Sequence, residues 1–490
     1  MPTSLSHQLM DRIRTRQARA GVVGLGYVGL PLAVEFARSG LAVTGLDLDT
    51  RKVAAIQRGE SYIPDVQSSD VAALTTAGRF VATSDFGAVA ELDTINICVP
   101  TPLRKTKDPD LSYIAAAVEN ISVYLRPGML IILESTTYPG TTEEVVQPLL
   151  ERGGLKAGID FYLAFSPERV DPGNEIFNTR NVPKIVGGIT STSTELARAL
   201  YETAIDTVVP VSSPRVAEMV KLLENTFRAV NIGLVNEIAL MCDKLAIDVW
   251  EVIDAAKTKP FGFMPFYPGP GLGGHCIPID PFYLSWKAKQ SGFESRFIEL
   301  AGCVNSSMPH AVVDKIADAL NAQKKPLNGS HILIVGVAYK RDTDDIRESP
   351  SLDVMGLLHQ KGARLSYTDP HVAEVLGHQW PGGYTLQSRA VNPATVSSAD
   401  CVVILTDHRA FDYDTLVASA QVIVDTRNAV KQPHPKLFRL GGPAPVHREE
   451  PSATESTAVN LIAVSRSFVA AAVAEGVLVA SLADRLKTEP

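Results

Sequence analysis

Short apolar runs alternate with amphipathic stretches through the first two hundred residues of the chain. Buried strands are predicted for the apolar runs at residues 20–24, 42–46, 94–99, 129–133 and 161–165. Helical spacing of apolar positions lies between them, at residues 30–39, 113–124 and 142–151. Strands that alternate with helices predict a doubly wound α/β domain built on a parallel sheet.

The pattern changes near residue 213. Residues 214–257 have helical spacing with few breakers, and a second strand-and-helix pattern begins near residue 330, with strands predicted at 331–335, 402–405 and 422–424. The expected fold is therefore α/β, with two Rossmann-like doubly wound domains joined by a central helical region. We expect domains at 1–212, 213–310 and 311–442, then a linker and helix at 443–490.

A glycine-rich turn follows the first predicted strand and precedes a helix. Its sequence is Gly24-Leu25-Gly26-Tyr27-Val28-Gly29, the G-x-G-x-x-G spacing that lets a backbone approach a pyrophosphate at a helix N-terminus. Asp47 ends the next strand, where a carboxylate accepts hydrogen bonds from a ribose diol. The turn predicts dinucleotide binding, and Asp47 favours NAD over NADP, although Arg51 lies nearby.

Composition excludes several classes of function. Of 490 residues, 46 are Lys or Arg and 54 are Asp or Glu, a net charge of −8 that gives no reason to expect a nucleic-acid partner. The five cysteines are widely spaced and form no metal-binding motif, so neither a disulfide framework nor a metal site is expected. Residues 459–482 are apolar but interrupted by charges, which disfavours a membrane span. A reducing cytoplasm is the expected compartment.

The segment Pro268-Gly-Pro-Gly-Leu-Gly-Gly-His-Cys-Ile-Pro-Ile-Asp-Pro281 is the most unusual in the chain. Its glycines allow the backbone to lie close to a ligand. A cysteine in packed apolar surroundings is usually inert, which is the expectation for the other four cysteines. Cys276, set among glycines, is instead predicted to be a nucleophile.

Seven ordered motifs resemble the UDP-glucose/GDP-mannose dehydrogenases, over about residues 12–440. They are the glycine turn, Val99-Pro-Thr-Pro102, Glu134-Ser-Thr-Thr137, Ser166-Pro-Glu-Arg169, Glu218-Met-Val-Lys-Leu-Leu-Glu-Asn225, the Cys276 segment, and Gly336-Val-Ala-Tyr-Lys340 with Asp345-Ile-Arg-Glu-Ser349. The resemblance implies NAD-dependent oxidation of a C6 alcohol to a carboxylate, with two NAD⁺ reduced through a thiohemiacetal and a thioester on Cys276.

The resemblance also implies residue roles. Lys221 and Asn225 share a helix face and would sit at the reacting oxygen, and Asp280 would orient or deprotonate water. Glu168 matches an acid of thioester hydrolysis and Thr136 a threonine that positions water. The implied cofactor contacts beyond the turn and Asp47 are Val99, Pro100, Thr101 and Arg347. The implied substrate contacts are Arg169, Phe266, Tyr267, Gly271, Lys340 and Arg427.

Within the family, the Cys276 segment is most similar to UDP-N-acetylglucosamine 6-dehydrogenases of surface-polysaccharide synthesis, and UDP-N-acetylmannosamine 6-dehydrogenase is the nearest alternative. Pro172 replaces the second carboxylate of the UDP-glucose enzymes, which argues against that substrate. Lys259 is a candidate for contact across a homodimer, or a higher homo-oligomer, which the long central helices make the default. A role for His275 as base stays open.

Two other classes of protein remain possible on the sequence. One is a non-catalytic protein that binds NAD and a sugar nucleotide, against which the intact Cys276, Lys221 and Asp280 speak. The other is a single-step dehydrogenase of the 6-phosphogluconate type. NADH stoichiometry separates them from a double oxidation.

Overall fold

Two sheets, each covered by helices on both faces, flank a pair of long central helices. The structure is a computed structural model that describes residues 4–102, 109–171, 174, 176–274, 277–443 and 445. It confirms the predicted fold class.

The first sheet has the strand order 3-2-1-4-5-6-7-8. Its strands are β1 (Arg19–Val23), β2 (Ala42–Leu46), β3 (Phe80–Thr83), β4 (Thr94–Ile97), β5 (Leu130–Leu133), β6 (Tyr162–Phe165), β7 (Lys184–Gly188) and β8 (Val208–Pro210). The helices of this unit are α1 (Leu5–Arg14), α2 (Gly29–Arg38), α3 (Thr50–Gln57), α4 (Ser68–Thr76), α5 (Ser112–Ser122), α6 (Gln147–Leu150) and α7 (Ser191–Tyr201). Single turns of 3₁₀ or π helix lie at Phe86–Glu91, Thr142–Val146 and Glu151–Gly153. Every residue of β4, β5 and β6 is buried, as a sheet covered on both faces requires.

One expectation for this sheet is wrong. In this sheet β6 pairs with β7 in antiparallel orientation, whereas the other strand pairs of the sheet are parallel. Among the described residues no helix connects β6 to β7, so the chain returns without the crossover that a parallel pair needs. Before this sheet, α1 ends at Arg14 and β1 begins at Arg19.

Two long helices form the centre. They are α8 (Pro214–Leu245) and α11 (Arg296–Ala322), accompanied by α9 (Val249–Ala256) and α10 (Asp280–Gln290). Ser213 caps α8 by accepting a hydrogen bond from the Val216 amide, and Pro214 occupies its first turn. A Cβ atom on Gly233 would lie 3.2 Å from the Ala301 backbone, so glycine allows α8 and α11 to pack closely.

The second sheet is parallel, with the strand order 10-9-13-14-15. Its strands are β9 (His331–Val335), β10 (Arg364–Thr368), β13 (Cys401–Ile404), β14 (Ile423–Asp425) and β15 (Leu437–Arg439), and a small antiparallel pair is formed by β11 (Glu374–Val375) and β12 (Leu386–Gln387). The helices are α12 (Pro350–Gln360), α13 (Pro393–Ser397) and α14 (Tyr413–Ser419), with a 3₁₀ turn at Gly377–Gln379. Apart from residues 443 and 445, the predicted linker and helix at 443–490 lie outside the described residues.

Among the residues that the structure describes, no helix combines the length and the apolar character that a membrane crossing requires.

Candidate active site

The space around the Cβ position differs among the three glycines of the first turn. Gly24 has φ +90°, and a Cβ atom there would lie 2.7 Å from the Cys98 carbonyl oxygen. A Cβ atom on Gly29 would lie only 1.8 Å from the Gly24 carbonyl oxygen, where α2 begins. A Cβ atom on Gly26, by contrast, would have no neighbouring atom within 4 Å apart from its adjacent residues in the chain. The turn is therefore closely packed at its first and third glycines and open at the second, as pyrophosphate binding requires.

Asp47 follows β2 and faces the turn. Its Oδ2 accepts a hydrogen bond of 2.8 Å from the Leu25 amide, and Oδ1 accepts one of 2.9 Å from the Asp49 amide. The Lys52 ammonium lies 3.3 Å from Oδ2. Arg51 pairs instead with Asp49 through two hydrogen bonds, and its side chain is 90% exposed. Asp47 is thus fixed beside the turn, and Arg51 pairs with Asp49 rather than with Asp47.

The turn opens on a cleft of about 1160 Å³. The predicted cofactor residues that line it are Gly24, Gly26, Tyr27, Val28, Asp47, Val99, Pro100, Thr101 and Arg347. Arg347 comes from the second unit, and its guanidinium lies 5.2 Å from the centre of the Tyr27 ring while pairing with Asp345. The N-terminus of α2 has no side-chain cap, and the Cβ position of Gly26 is open. Both features fit the binding of a dinucleotide.

The contrast between Gly26 and Gly29 gives a testable prediction. Gly26→Val is expected to leave thermal unfolding unchanged but to weaken NAD binding at least tenfold, about 1.4 kcal/mol, because the side chain enters the open space of the turn. Gly29→Ala is expected to cost about 1–3 kcal/mol of folding free energy through overpacking. Calorimetric titration with NAD and thermal melts measure both effects, and an equal loss of stability in the two variants would contradict this division.

A second cleft, of about 1290 Å³, lies between the central helices and the second sheet. Of the predicted substrate residues, it is lined by Arg169, Phe266, Tyr267, Gly271, Lys340 and Arg427. The two clefts adjoin, because nine residues line both of them: Tyr27, Pro64, Asp65, Glu168, Val170, Asp171, Asn174, Lys221 and Arg347. Molecules in the two clefts would meet along this shared wall, in which Glu168 and Lys221 are the two residues that the sequence predicts to be catalytic.

Lys221, Asn225 and Asp280 lie together, as the sequence predicts. The Asn225 amide nitrogen donates a 2.6 Å hydrogen bond to Asp280 Oδ2, which joins α8 to the first residue of α10. Asp280 is 2% exposed. Burial raises the pKa of its carboxyl to about 6, against the opposing effects of Lys221 and the Asn225 hydrogen bond. An acid that titrates near neutrality is suited to proton transfer.

Several buried polar residues that the sequence did not single out position this group. Glu218, one turn before Lys221, accepts hydrogen bonds from the amides of Gly140 and Thr142, which fixes α8 against the loop that carries Thr136. Farther along α8, Asn236 accepts a 3.0 Å hydrogen bond from the Gly269 amide and donates one of 2.9 Å to Asn305 on α11. This pair of asparagines fixes the start of the glycine-rich segment.

Lys184, at the start of β7, is a further residue that sequence reasoning missed. Its ammonium is buried and bonds the carboxylates of both Glu134 and Glu168. Burial would raise the pKa of Glu168, but Lys184 and the Val170 amide hold that pKa below its ordinary value. Glu168 is therefore a fixed anion, in contrast to Asp280. Thr136 lines the first cleft nearby.

Three cations of the second cleft, Lys340, Arg427 and Arg169, are paired with carboxylates. Lys340 lies 2.9 Å from Asp171, an ion pair between the two α/β units. Arg427 lies 3.4 Å from Asp407, and Arg169 makes two hydrogen bonds to Glu224. The aromatic rings belong to the central unit, where Tyr267 stacks on Trp250 and Phe266 packs edge-on against Phe227.

A turn similar to the glycine turn of the first sheet follows β9 in the second sheet, but the carboxylate beside it is buried. Gly336 follows β9 with φ +82°, and its neighbour Val337 donates a 2.8 Å hydrogen bond to Asp369 after β10, as Leu25 does to Asp47. Asp369, however, is buried and also accepts a hydrogen bond from His408 Nε2. This second carboxylate is therefore enclosed by its protein partners, in contrast to Asp47, which lines the first cleft.

Asp342, His371 and His408 bring possible metal ligands within 4.8 Å of one another. The Asp342 amide donates to His408 Nδ1, so the proton of that ring is on Nε2, where Asp369 accepts it. Both ring nitrogens are engaged, and His408 has no lone pair left for a cation.

Three residues of the sequence hypothesis, Cys276, His275 and Pro172, lie outside the described residues. Ile277 and Gly274, which flank the first two, line the second cleft.

Three family models match consecutive parts of the chain. They describe the UDP-glucose/GDP-mannose dehydrogenase family, as its NAD binding domain at residues 18–205, its central domain at 215–307 and its UDP binding domain at 333–432. A UDP-N-acetyl-D-mannosamine dehydrogenase of Methanococcus maripaludis is 34% identical over 84% of this chain and 92% of its own. A UDP-N-acetyl-D-glucosamine 6-dehydrogenase of Pseudomonas aeruginosa is 36% identical over 74% and 86%.

Solved structures give the same result. The UDP-D-ManNAc dehydrogenase of Pyrococcus horikoshii superposes with a TM-score of 0.79 at 33% identity, covering 86% of this chain and 99% of that one. The three family models together cover residues of both sheets and of the central helices, and the glycine turn lies in the part matched by the NAD binding domain. The chain is therefore a member of the UDP-glucose/GDP-mannose dehydrogenase family, an NAD-dependent nucleotide-sugar dehydrogenase.

Proposed function

We propose that the protein oxidises the C6 hydroxymethyl group of a UDP-N-acetylhexosamine, UDP-N-acetylglucosamine above others, to a carboxylate. One alcohol, two NAD⁺ and one water give one carboxylic acid, two NADH and two protons. The product has the chemistry of a precursor for surface polysaccharides. The observation that carries the proposal is the junction of the two clefts at Glu168 and Lys221, beside Asn225 and Asp280.

The cofactor site in this proposal is the first cleft. NAD bound there would supply the hydride acceptor. The amides at the start of α2 would hold its pyrophosphate and Asp47 a ribose diol, and residues 99–101 would contribute further contacts from the lining of the cleft. Arg347 and Tyr27 close the side that faces the second unit.

The substrate site is the second cleft. Lys340 and Arg427 bind the diphosphate there, and Phe266, Tyr267 and Gly271 cover the nucleotide sugar. The family's UDP binding domain, matched at 333–432, supports this orientation. The sugar then extends toward Lys221, and its C6 lies between the two clefts.

The side chains at the junction have separate tasks. Lys221 stabilises negative charge on the C6 oxygen, and Asn225 donates a hydrogen bond or retains a water molecule. Cys276 adds to the C6 aldehyde, giving a thiohemiacetal that is oxidised to a thioester. Asp280 takes the proton of the attacking water, because its pKa of about 6 suits general-base catalysis near neutrality. Glu168 and Thr136 orient that water.

The proposal also specifies which UDP-N-acetylhexosamine is the substrate. The wording of the Cys276 segment supports UDP-N-acetylglucosamine, the substrate named for the Pseudomonas aeruginosa relative. UDP-N-acetylmannosamine is the second candidate, because two of the relatives described above carry that substrate in their names. The domain limits 1–212, 213–310 and 311–442 belong to the same proposal.

A homodimer completes the proposal. Exposed apolar side chains form a stripe at spacings of 4 and 7 residues along α8, namely Leu223, Phe227, Leu234 and Met241. Phe297 and Leu300 on α11 are exposed as well. An apolar face of this extent supports a second copy as its partner.

The experiment is a substrate panel with the purified full chain, NAD⁺ and each of UDP-GlcNAc, UDP-ManNAc, UDP-GalNAc and UDP-glucose, followed by NADH absorbance. We expect the highest kcat/KM for UDP-GlcNAc. Preferred turnover of another sugar would contradict the choice of hexosamine, and no turnover of any UDP-sugar would contradict the proposed function.

A further inference from the structure

A buried ion cluster lies behind the junction of the two clefts. The Lys184 ammonium is 2.7 Å from Glu134 Oε2 and 2.9 Å from Glu168 Oε2. Both carboxylates line the first cleft, and Lys184 lines neither cleft. The lysine side chain is 4% exposed. It therefore acts on the junction only through its two partners.

Each carboxylate is fixed at both oxygens. Glu168 Oε1 accepts hydrogen bonds of 2.8 Å from the amides of Arg169 and Val170. Glu134 Oε1 accepts hydrogen bonds of 2.7 Å from the Asn96 amide and from the Tyr201 hydroxyl. Neither carboxylate can rotate without losing a buried hydrogen bond, which is costly.

Several helices and strands contribute ionisable groups to the surroundings of the cluster. The ionisable groups that face Glu168 are Lys184 from β7, Glu134 from the end of β5, Lys221 from α8 and the Cys98 thiol after β4, with the Tyr201 phenol of α7 behind Glu134. Two carboxylates share one lysine here. Without that ammonium, their mutual repulsion in a buried site would force one of them to take up a proton.

We propose that Lys184 is a positioning residue that holds Glu168 as an ionised, immobile carboxylate where the two clefts meet, with Glu134, Asn96 and Tyr201 anchoring the lysine. The inference rests on the proposed function, since Glu168 faces the reacting carbon only when a sugar nucleotide occupies the second cleft. Lys184 touches neither substrate nor cofactor.

The test compares Lys184→Met with the double variant Glu134→Gln/Lys184→Met, through the pH dependence of kcat and the KM for the UDP-sugar. In Lys184→Met we expect the acid limb of kcat, which Asp280 sets in the wild type, to move up by about one pH unit because Glu168 then takes up a proton as well. On that limb kcat at a given pH should fall about tenfold, since a shift of one unit is a tenfold change in protonation. KM should stay within about twofold, because Lys184 does not line the second cleft and the residues proposed to bind the diphosphate, Lys340 and Arg427, are unchanged.

The double variant removes one carboxylate as well as the lysine. The repulsion is gone, so its acid limb should lie between those of the wild type and Lys184→Met. Thermal melts check folding, and the double variant carries the test if Lys184→Met unfolds, because neutral groups replacing a buried ion pair are often tolerated.

The outcomes are distinct. A wild-type pH profile in the folded variants, with only a lowered melting temperature, would overturn the role of Lys184 and leave the proposed function intact. Failure of the wild-type enzyme to oxidise any UDP-sugar would overturn the proposed function and this role together.

Discussion

Replacing Cys276 by serine is expected to reduce formation of the acid by about 10³-fold or more, the scale seen when an enzyme nucleophile is removed. An aldehyde carbon cannot release a second hydride until a nucleophile has added to it, and a hydroxyl at this position is a much weaker nucleophile than a thiolate. The variant should therefore produce no more than one NADH for each sugar in single turnover, followed by rapid-quench analysis of the acid.

Cys303→Ser is the matched control. Cys303 is exposed on α11 and lines neither cleft, so we expect wild-type kinetics. Acid formation by Cys276→Ser at the wild-type rate would show that the second oxidation does not pass through this sulfur.

Replacing Asp280 by asparagine is expected to lower kcat by about 10²–10⁴-fold, the range of general acid–base catalysis. Asparagine keeps an oxygen that can accept the hydrogen bond from Asn225, so the geometry at the start of α10 should persist. What is lost is a group that burial places at a pKa of about 6. The carboxylate is ionised above that pH, so wild-type kcat should fall below pH 6.

The measurement is a pH profile of kcat for both enzymes. In Asp280→Asn the remaining activity should lack the acid limb near pH 6, and Asp353→Asn, an exposed carboxyl outside both clefts, should match the wild type. A variant that is slow but retains the limb would assign the titration to another group.

Two clefts that meet at Glu168 and Lys221 also suit the exchange of cofactor that a double oxidation requires. In the proposed arrangement the dinucleotide and the sugar nucleotide occupy two adjoining clefts. Under that proposal, NADH would leave the first cleft and a second NAD⁺ would enter while the sugar stays bound through Cys276.

Local signals in the sequence predicted a large part of this arrangement. The glycine turn and Asp47 are recognisable because the backbone demands glycine at Gly24 and Gly29, and because the carboxylate ends the next strand. Lys221 and Asn225 are four residues apart on a helix, so their shared face follows from the helical repeat.

The residues that the sequence did not reveal depend on long-range pairing. Lys184 begins a strand, where a lysine is ordinarily solvated, and only the antiparallel pairing of β7 with β6 brings it to Glu134 and Glu168. Asn236 and Asn305 lie 69 residues apart and meet only when α8 packs on α11. The periodicity of apolar residues within a single helix or strand gives no information about such long-range contacts.

The most direct test of the central claim is the amount of NADH formed when a limiting quantity of UDP-GlcNAc is consumed to completion by the wild-type enzyme with excess NAD⁺. The account predicts two NADH for each sugar and a product that carries a C6 carboxylate. One NADH for each sugar, with an aldehyde or ketone as the product, would contradict it.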